Sequence, residues 1–150
     1  MSVEEKMSGV SFGDLIVMRG KVTHSFTSVE MGMCTYISNH YFGSWNADFV
    51  HTVLYDPSVS FFARFNIFRK ILEAKGFAES AFPFGKLRRL GQIRNIFAHA
   101  WVSSPDPNQG KFYLIGEADM KDTHDAAALY EEFFKHFEEV QMTVIKMSKS

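Results

Sequence analysis

Seven apolar residues near the end of the chain, Ala126, Tyr130, Phe133, Phe137, Val140, Val144 and Met147, recur at alternating intervals of four and three. Only an α-helix, with 3.6 residues per turn, puts such a series on one line. Away from that line stand Glu131, Glu132, Glu138 and Glu139. A long helix with this seam must cover it against other helices, in the same chain or in a second copy.

The rest of the chain supplies those helices. Val22, Phe26, Val29, Met33 and Tyr36 repeat at four, three, four and three, which predicts a helix from Ser11 to about Tyr41, with Arg19-Gly20 as its weak point. Glu30 lies beside this seam, and Met31, Met33 and Cys34 read as filler of a core or interface. Gly43 to Asp48 reads as a loop and Asp48 to Tyr55 as a short helix. Asp56-Pro57-Ser58 marks a turn and a helix start. Phe61, Phe65, Phe68, Ile71 and Leu72 form the next apolar face, stopped by Gly76. Pro83 precedes a further helix, Leu87 to Trp101, LRRLGQIRNIFAHAW. Ser103 to Gly110 is a loop by its Pro, Asn, Asp and Gly content. Lys111 to Ile115 is β-prone, a short hairpin strand or an extended arm near 111–117, and Asp122 or Thr123 caps the final helix. The expected fold is all-α: one domain over 1–150, an antiparallel bundle of four main helices plus short ones.

Composition enters as a set of exclusions. Sixteen Phe and 46% apolar residues describe a chain that buries a core, not a disordered one. A single cysteine, Cys34, excludes an internal disulfide and a cysteine-based zinc site. Near the N-terminus the apolar run Leu15 to Met18 is too short for a signal core or a membrane span. The expectation is a cytoplasmic protein with no membrane partner. Asp48 and His51 are spaced as two metal ligands, but one pair does not make a site, and no metal or cofactor is assigned.

Charge is unevenly laid out. Net charge is −1, yet residues 64–94 hold eight bases against Glu73 and Glu79, a local +6. A local positive field concentrates anions even on a near-neutral protein. The plainer reading makes these bases solvated helix faces that pair with the acidic last helix.

The basic block leads into Arg94, Asn95 and His99. On a helix, Arg88, Gln92, Asn95 and His99 share a polar stripe, whereas Arg94 falls among Leu87, Leu90, Phe97 and Trp101. An unpaired charge facing a core is costly. Arg94 therefore meets a buried carboxylate, with Glu30 as the candidate, or opens onto a cleft where an anion arrives. Cleaving RNA without a metal needs a base for the ribose 2′-hydroxyl proton and a cation for the phosphate. A histidine suits the first task and an arginine the second. Asn95, one turn before His99, can orient the imidazole or bind phosphate. Arg88, Arg89, Gln92 and Trp101 are the further candidates for anion or RNA contact. Arg94 and His99 lie ~140° apart around one helix at ~100° per residue. They converge only if the helix loosens near Ala98 to Ala100, or if two chains share a site.

The Arg94-Asn95-x-x-x-His99 pattern resembles the HEPN superfamily of small helical proteins, whose hallmark is an Arg followed by a His at this spacing. Within it the chain is most similar to the mannitol operon repressor family, and the flank FFARFNIFRKILEAKGF, Phe61 to Phe77, shares in that likeness. The resemblance covers roughly Val29 to Trp101. It implies a homodimer in which the two signatures meet in a cleft. In toxin-type members a Tyr commonly stands two residues after the His; here that residue is Trp101, which can stack on a base but offers no phenolic oxygen for modification.

Two functional readings follow. One is a homodimeric, metal-independent RNA-binding protein or endoribonuclease with His99 as base and Arg94 on the phosphate. The other is a non-catalytic regulator of the mannitol operon repressor type, acting through protein partners. In that second reading Arg94 braces Glu30 and His99 caps its helix. No helix-turn-helix pattern supports direct DNA reading.

Overall fold

The structure is a computed structural model, and it describes residues 9–104, 110–115 and 123–148. Contacts divide the chain into two compact units, one of Met1–Ser25 with Gln92–Lys135, the other of Phe26–Gly91 with His136–Ser150. The elements in order are α1 (Phe12–Phe42), α2 (Ala47–Phe49), a π-helical turn (Val50–Leu54), α3 (Phe61–Ala74), a 3-10 turn (Glu79–Ala81), α4 (Phe84–His99), β1 (Trp101–Ser103), β2 (Tyr113–Ile115), β3 (Thr123–His124) and α5 (Ala126–Ser148). Among the described residues no helix is long and apolar enough to cross a membrane.

Each helix starts and stops for a local reason. Ser11 Oγ accepts from Asp14 N at 3.1 Å and caps α1, which runs unbroken through Gly20. The cost of one glycine, ~1 kcal/mol, is small beside the burial of Leu15, Val22 and the residues that follow. Ser38, fully buried, closes the far end: its hydroxyl donates to Ser44 O and accepts from Asn46 N. Asn46 Oδ1 then accepts from Phe49 N to start α2. Asp56 and Ser58 form the expected turn, but the cap of α3 is Ser60, which accepts from Ala63 N at 3.1 Å. Gly76, at φ +79, ends α3 as expected. Its N–H reaches Glu73 O and that of Phe77 reaches Leu72 O, the paired bonds of a Schellman close.

In the second unit, segments of α1, α3, α4 and α5 pack as a helical bundle. Phe26 meets Phe61 edge-on at 4.8 Å and Tyr36 meets Phe68 at 5.4 Å, so α3 runs beside α1 in the same sense. The segment from Gly43 to Ser60 carries the chain back between them. Against α4 the order reverses: Phe65 meets Phe84 at 5.9 Å, whereas Phe61 abuts Gly91. A Cβ on Gly91 would stand 2.5 Å from Phe61 Cε1, and one on Gly32 of α1 would stand 2.6 Å from Val144 Cγ1 of α5. The two glycines let helices approach more closely than alanine allows. Val29, Met33, Ile37, Phe65, Phe68, Leu72, Leu87, Leu90 and Val140 fill the interior. The expected α3 face is buried at all five positions; on α1 the inward series goes on to Cys34 and Ile37, leaving Tyr36 half-buried.

The first unit combines helix segments with a small antiparallel sheet of order β1-β2-β3. Trp101 pairs with Ile115, Val102 with Leu114 and Ser103 with Tyr113; on the other side Leu114 faces His124. Val10 adds a single bridge, exchanging two backbone bonds with Phe112. The β-prone stretch is thus the middle strand of three. Its buried centre is Leu114, which shares this unit's interior with Leu15, Val22, Ile93, Phe97, Ala126, Leu129 and Phe133. Two expectations are corrected here. Trp101 leaves the helix and begins β1, because its backbone is claimed by Ile115. Thr123 belongs to β3, and the cap of α5 is Asp125, whose Oδ1 accepts from Ala127 N and Ala128 N. Asp122, residues 105–109 of the expected loop and residues 116–117 of the expected arm lie outside the described residues.

Candidate functional site

The signature stands on α4, which begins at Phe84, one residue after Pro83, and holds α-helical geometry to His99. Ala100 N still bonds Ile96 O at 2.9 Å, so the last turn keeps the four-residue bond. The loosening that would swing His99 toward Arg94 is not present. Their directions diverge by ~140° along a regular helix. His99 is exposed on the final turn, Asn95 and Arg94 are half-buried, and Gln92 is exposed. Ile93 and Phe97 anchor this stretch in the interior of the first unit. The side chain of Trp101 lies outside the described residues, so its contact with an RNA base stays an expectation.

Glu30 forms an ion pair with Arg64: Arg64 Nη2 stands 3.3 Å from Glu30 Oε1, with both side chains buried. Arg64 Nη1 donates to Leu54 O at 3.0 Å and to Val59 O at 2.7 Å. The π-helical turn ends at Leu54, and Arg64 lies 4.9 Å over the ring of Tyr55 just after it. One guanidinium therefore ties the return segment to both helices it connects. Tyr55 OH reaches Met31 Sδ at 3.3 Å. Cys34 shares this pocket of polarity; burial pushes its thiol up to about 11, against a weaker opposing hydrogen bond with Tyr55. Burial also raises the Tyr55 phenol, helped by Cys34 and Glu30. Asp56, at the exposed turn, is lowered by its hydrogen bonds from Ser58. The sequence held a signal for Arg64. It stands three residues after Phe61 and four before Phe68, on the same inward line.

The basic block is partly neutralised inside the second unit. Besides Arg64, Arg69 Nε donates to Glu73 Oε1 at 3.0 Å and Lys86 pairs with Glu139 of α5. The pairing of these bases with the acidic last helix is thereby met for Lys86. Lys75 lies over Tyr36 and Arg88 over Phe65. Arg88 is exposed and Arg89 half-buried. Asp48 and His51 are both exposed, and His51 faces the ring of Trp45 at 6.4 Å.

No protein-family model, curated protein or solved structure matches this chain. Function is therefore argued from the side chains themselves. At the start of α4 they present guanidinium groups, and at its end a half-buried cation, an amide and an exposed imidazole. These are groups that grip phosphate and move a proton.

Proposed function

We propose that the chain is a HEPN-type protein that works as a homodimer on RNA, with a cleavage site assembled from two copies of α4. The observation that carries this reading is the regular helical geometry through the signature. It keeps Arg94 and His99 of one chain from meeting over one phosphate, so a composite site needs one from each copy. In that site His99 takes the proton of a ribose 2′-hydroxyl. The 2′-oxygen attacks the neighbouring phosphorus, the P–O5′ bond breaks, and Arg94 offsets the charge that builds on the phosphate. Asn95 orients the imidazole or donates to a phosphate oxygen. The resemblance of Arg94-Asn95-x-x-x-His99 and its Phe61–Phe77 flank to the HEPN superfamily supports the same reading.

Mixing two inactive variants tests it. Arg94→Ala and His99→Ala each lose cleavage of single-stranded RNA in excess chelator. A shared site predicts that an equal mixture, after subunit exchange, regains about a quarter of native activity, because half the dimers are mixed and each holds one intact site. Activity that stays at zero in the mixture rules out a site shared between chains.

A different observation favours the second reading, a non-catalytic regulator acting through protein contacts. Tyr41, Phe42 and Trp45 are 58%, 50% and 40% exposed near the turn between α1 and α2, where Tyr41 and Phe42 meet Phe49 and Trp45 faces His51. An exposed aromatic group of this kind marks an interaction surface. Under this reading the pure protein neither cleaves RNA nor binds it at low salt, and Arg94→Ala leaves its oligomeric state unchanged.

A further inference from the structure

The first turns of α1 present apolar groups to solvent. Phe12, Ile16 and Val17 are 52%, 55% and 53% exposed. At ~100° per residue, Ile16 and Val17 share one face of the helix with Gly13 and Gly20. That face is on the far side of α1 from Leu15 and Val22, which are buried in the interior of the first unit. Single exposed apolar residues are ordinary on a protein surface, but a cluster of them along one helix face marks a contact. Gly20 fits the same face. A Cβ added there, or on Gly13, meets nothing within 4 Å, in contrast to Gly32 and Gly91. No neighbour inside the chain asks for glycine at this position, where alanine would favour the helix. A bare backbone lets another helix come close.

Charge beside the face shows which helix fits. Asp14 and Lys21 are both exposed. They stand seven residues apart, about two turns, so an acid and a base share one flank of the face. Among the described residues neither is in an ion pair. When two identical helices pack antiparallel about a two-fold axis, like flanks meet and the order of residues reverses. Position 14 of one helix then lies against position 21 of the other, and 21 against 14. The stretch is complementary to itself, with two acid–base pairs on either side of Val17, which meets its own copy beside the axis.

We propose that this face of α1 is a self-association surface. Two copies of the chain pack α1 against α1, antiparallel, over Ile16, Val17 and Gly20, with Asp14 of each copy against Lys21 of the other. The contact is small: Phe12 to Lys21 spans ~15 Å of helix. Interfaces below ~1,200 Å² are weak, so this one forms at high protein concentration. It lies away from the interior that α1 shares with Ile93 and Phe97 of α4, and it does not depend on the RNA reading. Chains paired through α4 are linked by it into larger assemblies.

Sedimentation of the full chain from micromolar to millimolar concentration, without RNA, tests the surface. The native protein is expected to gain mass reversibly at the upper end. Val17→Glu, at an exposed position, abolishes the gain. Asp14→Lys sets like charges against each other in both pairs and weakens association about tenfold. Adding Lys21→Asp to that variant restores opposite signs and the association with them. Under mild oxidation by copper–phenanthroline in air, Val17→Cys should close a disulfide between chains, whereas Met142→Cys, 52% exposed on α5, should not. The native Cys34 is buried and takes no part. A mass that stays constant with concentration overturns the surface. So does a gain that Val17→Glu leaves intact, a double charge exchange that restores nothing, or equal cross-linking at the two cysteine positions.

Discussion

A buried charge persists when its field has a counterion and its donors have acceptors, and the two terminal nitrogens of Arg64 find these in Glu30, Leu54 O and Val59 O, while its Nε is buried without a hydrogen-bond partner. Such a pair adds little net stability over apolar packing, but breaking it by removing one partner costs ~3–5 kcal/mol. Nearby, Cys34 and Tyr55 give this region a pH dependence whose sign follows from burial. Both groups hold their protons longer in the folded chain than in the unfolded one. Stability is therefore full below about pH 9 and falls as pH rises through the folded values. For Cys34, moved from 9.0 to about 11, the loss approaches ~2–3 kcal/mol. Urea midpoints at pH 8 and pH 10.5 should separate clearly, and Cys34→Ala should narrow the gap. At this scale the sequence was only half legible. An inward Glu30 was readable from its place beside the seam. Its pairing with Arg64 was not, because spacing along one helix gives no distance between helices.

Helix α4 shows how one element reconciles competing demands. Gly91 sits mid-helix, where alanine would be favoured by ~1 kcal/mol on propensity alone. The added methyl would stand 2.5 Å from the ring of Phe61, which is itself buried. Overpacking costs ~1–3 kcal/mol and outweighs the propensity gain. Gly91→Ala is expected to lower stability by ~1–2 kcal/mol in chemical denaturation, and Phe61→Leu in the same chain should recover part of it. An increase in stability would mean that the two helices part without cost. Helix existence and inward faces were readable here from periodicity, since Leu87, Leu90 and Phe97 all lie inside. The far boundary was not. Trp101 fits the helical repeat, and only its pairing with Ile115, fourteen residues later, turns it into strand. The cap of α5 was misplaced for a related reason: Asp122, Thr123 and Asp125 are all competent caps, and pairing of Thr123 with Ile115 leaves the task to Asp125.

At the scale of the whole molecule, the proposed chemistry depends on a second copy. The 17.2 kDa chain should sediment as a species of about 34 kDa at micromolar concentration, with or without RNA. A monomer under those conditions would leave Arg94 and His99 on diverging directions with nothing to join them. The helical class was legible because seams at four and three leave no other fold class. The three-stranded sheet was legible only as one β-prone stretch, since its partners are short and their pairing is non-local. The single thiol, sealed at Cys34, has a practical consequence. The protein's exterior is blank to maleimide reagents, so a cysteine placed at exposed Gln92 becomes a unique handle without removal of the native one. In the proposed dimer, a spin label there would read the spacing of the two α4 helices directly.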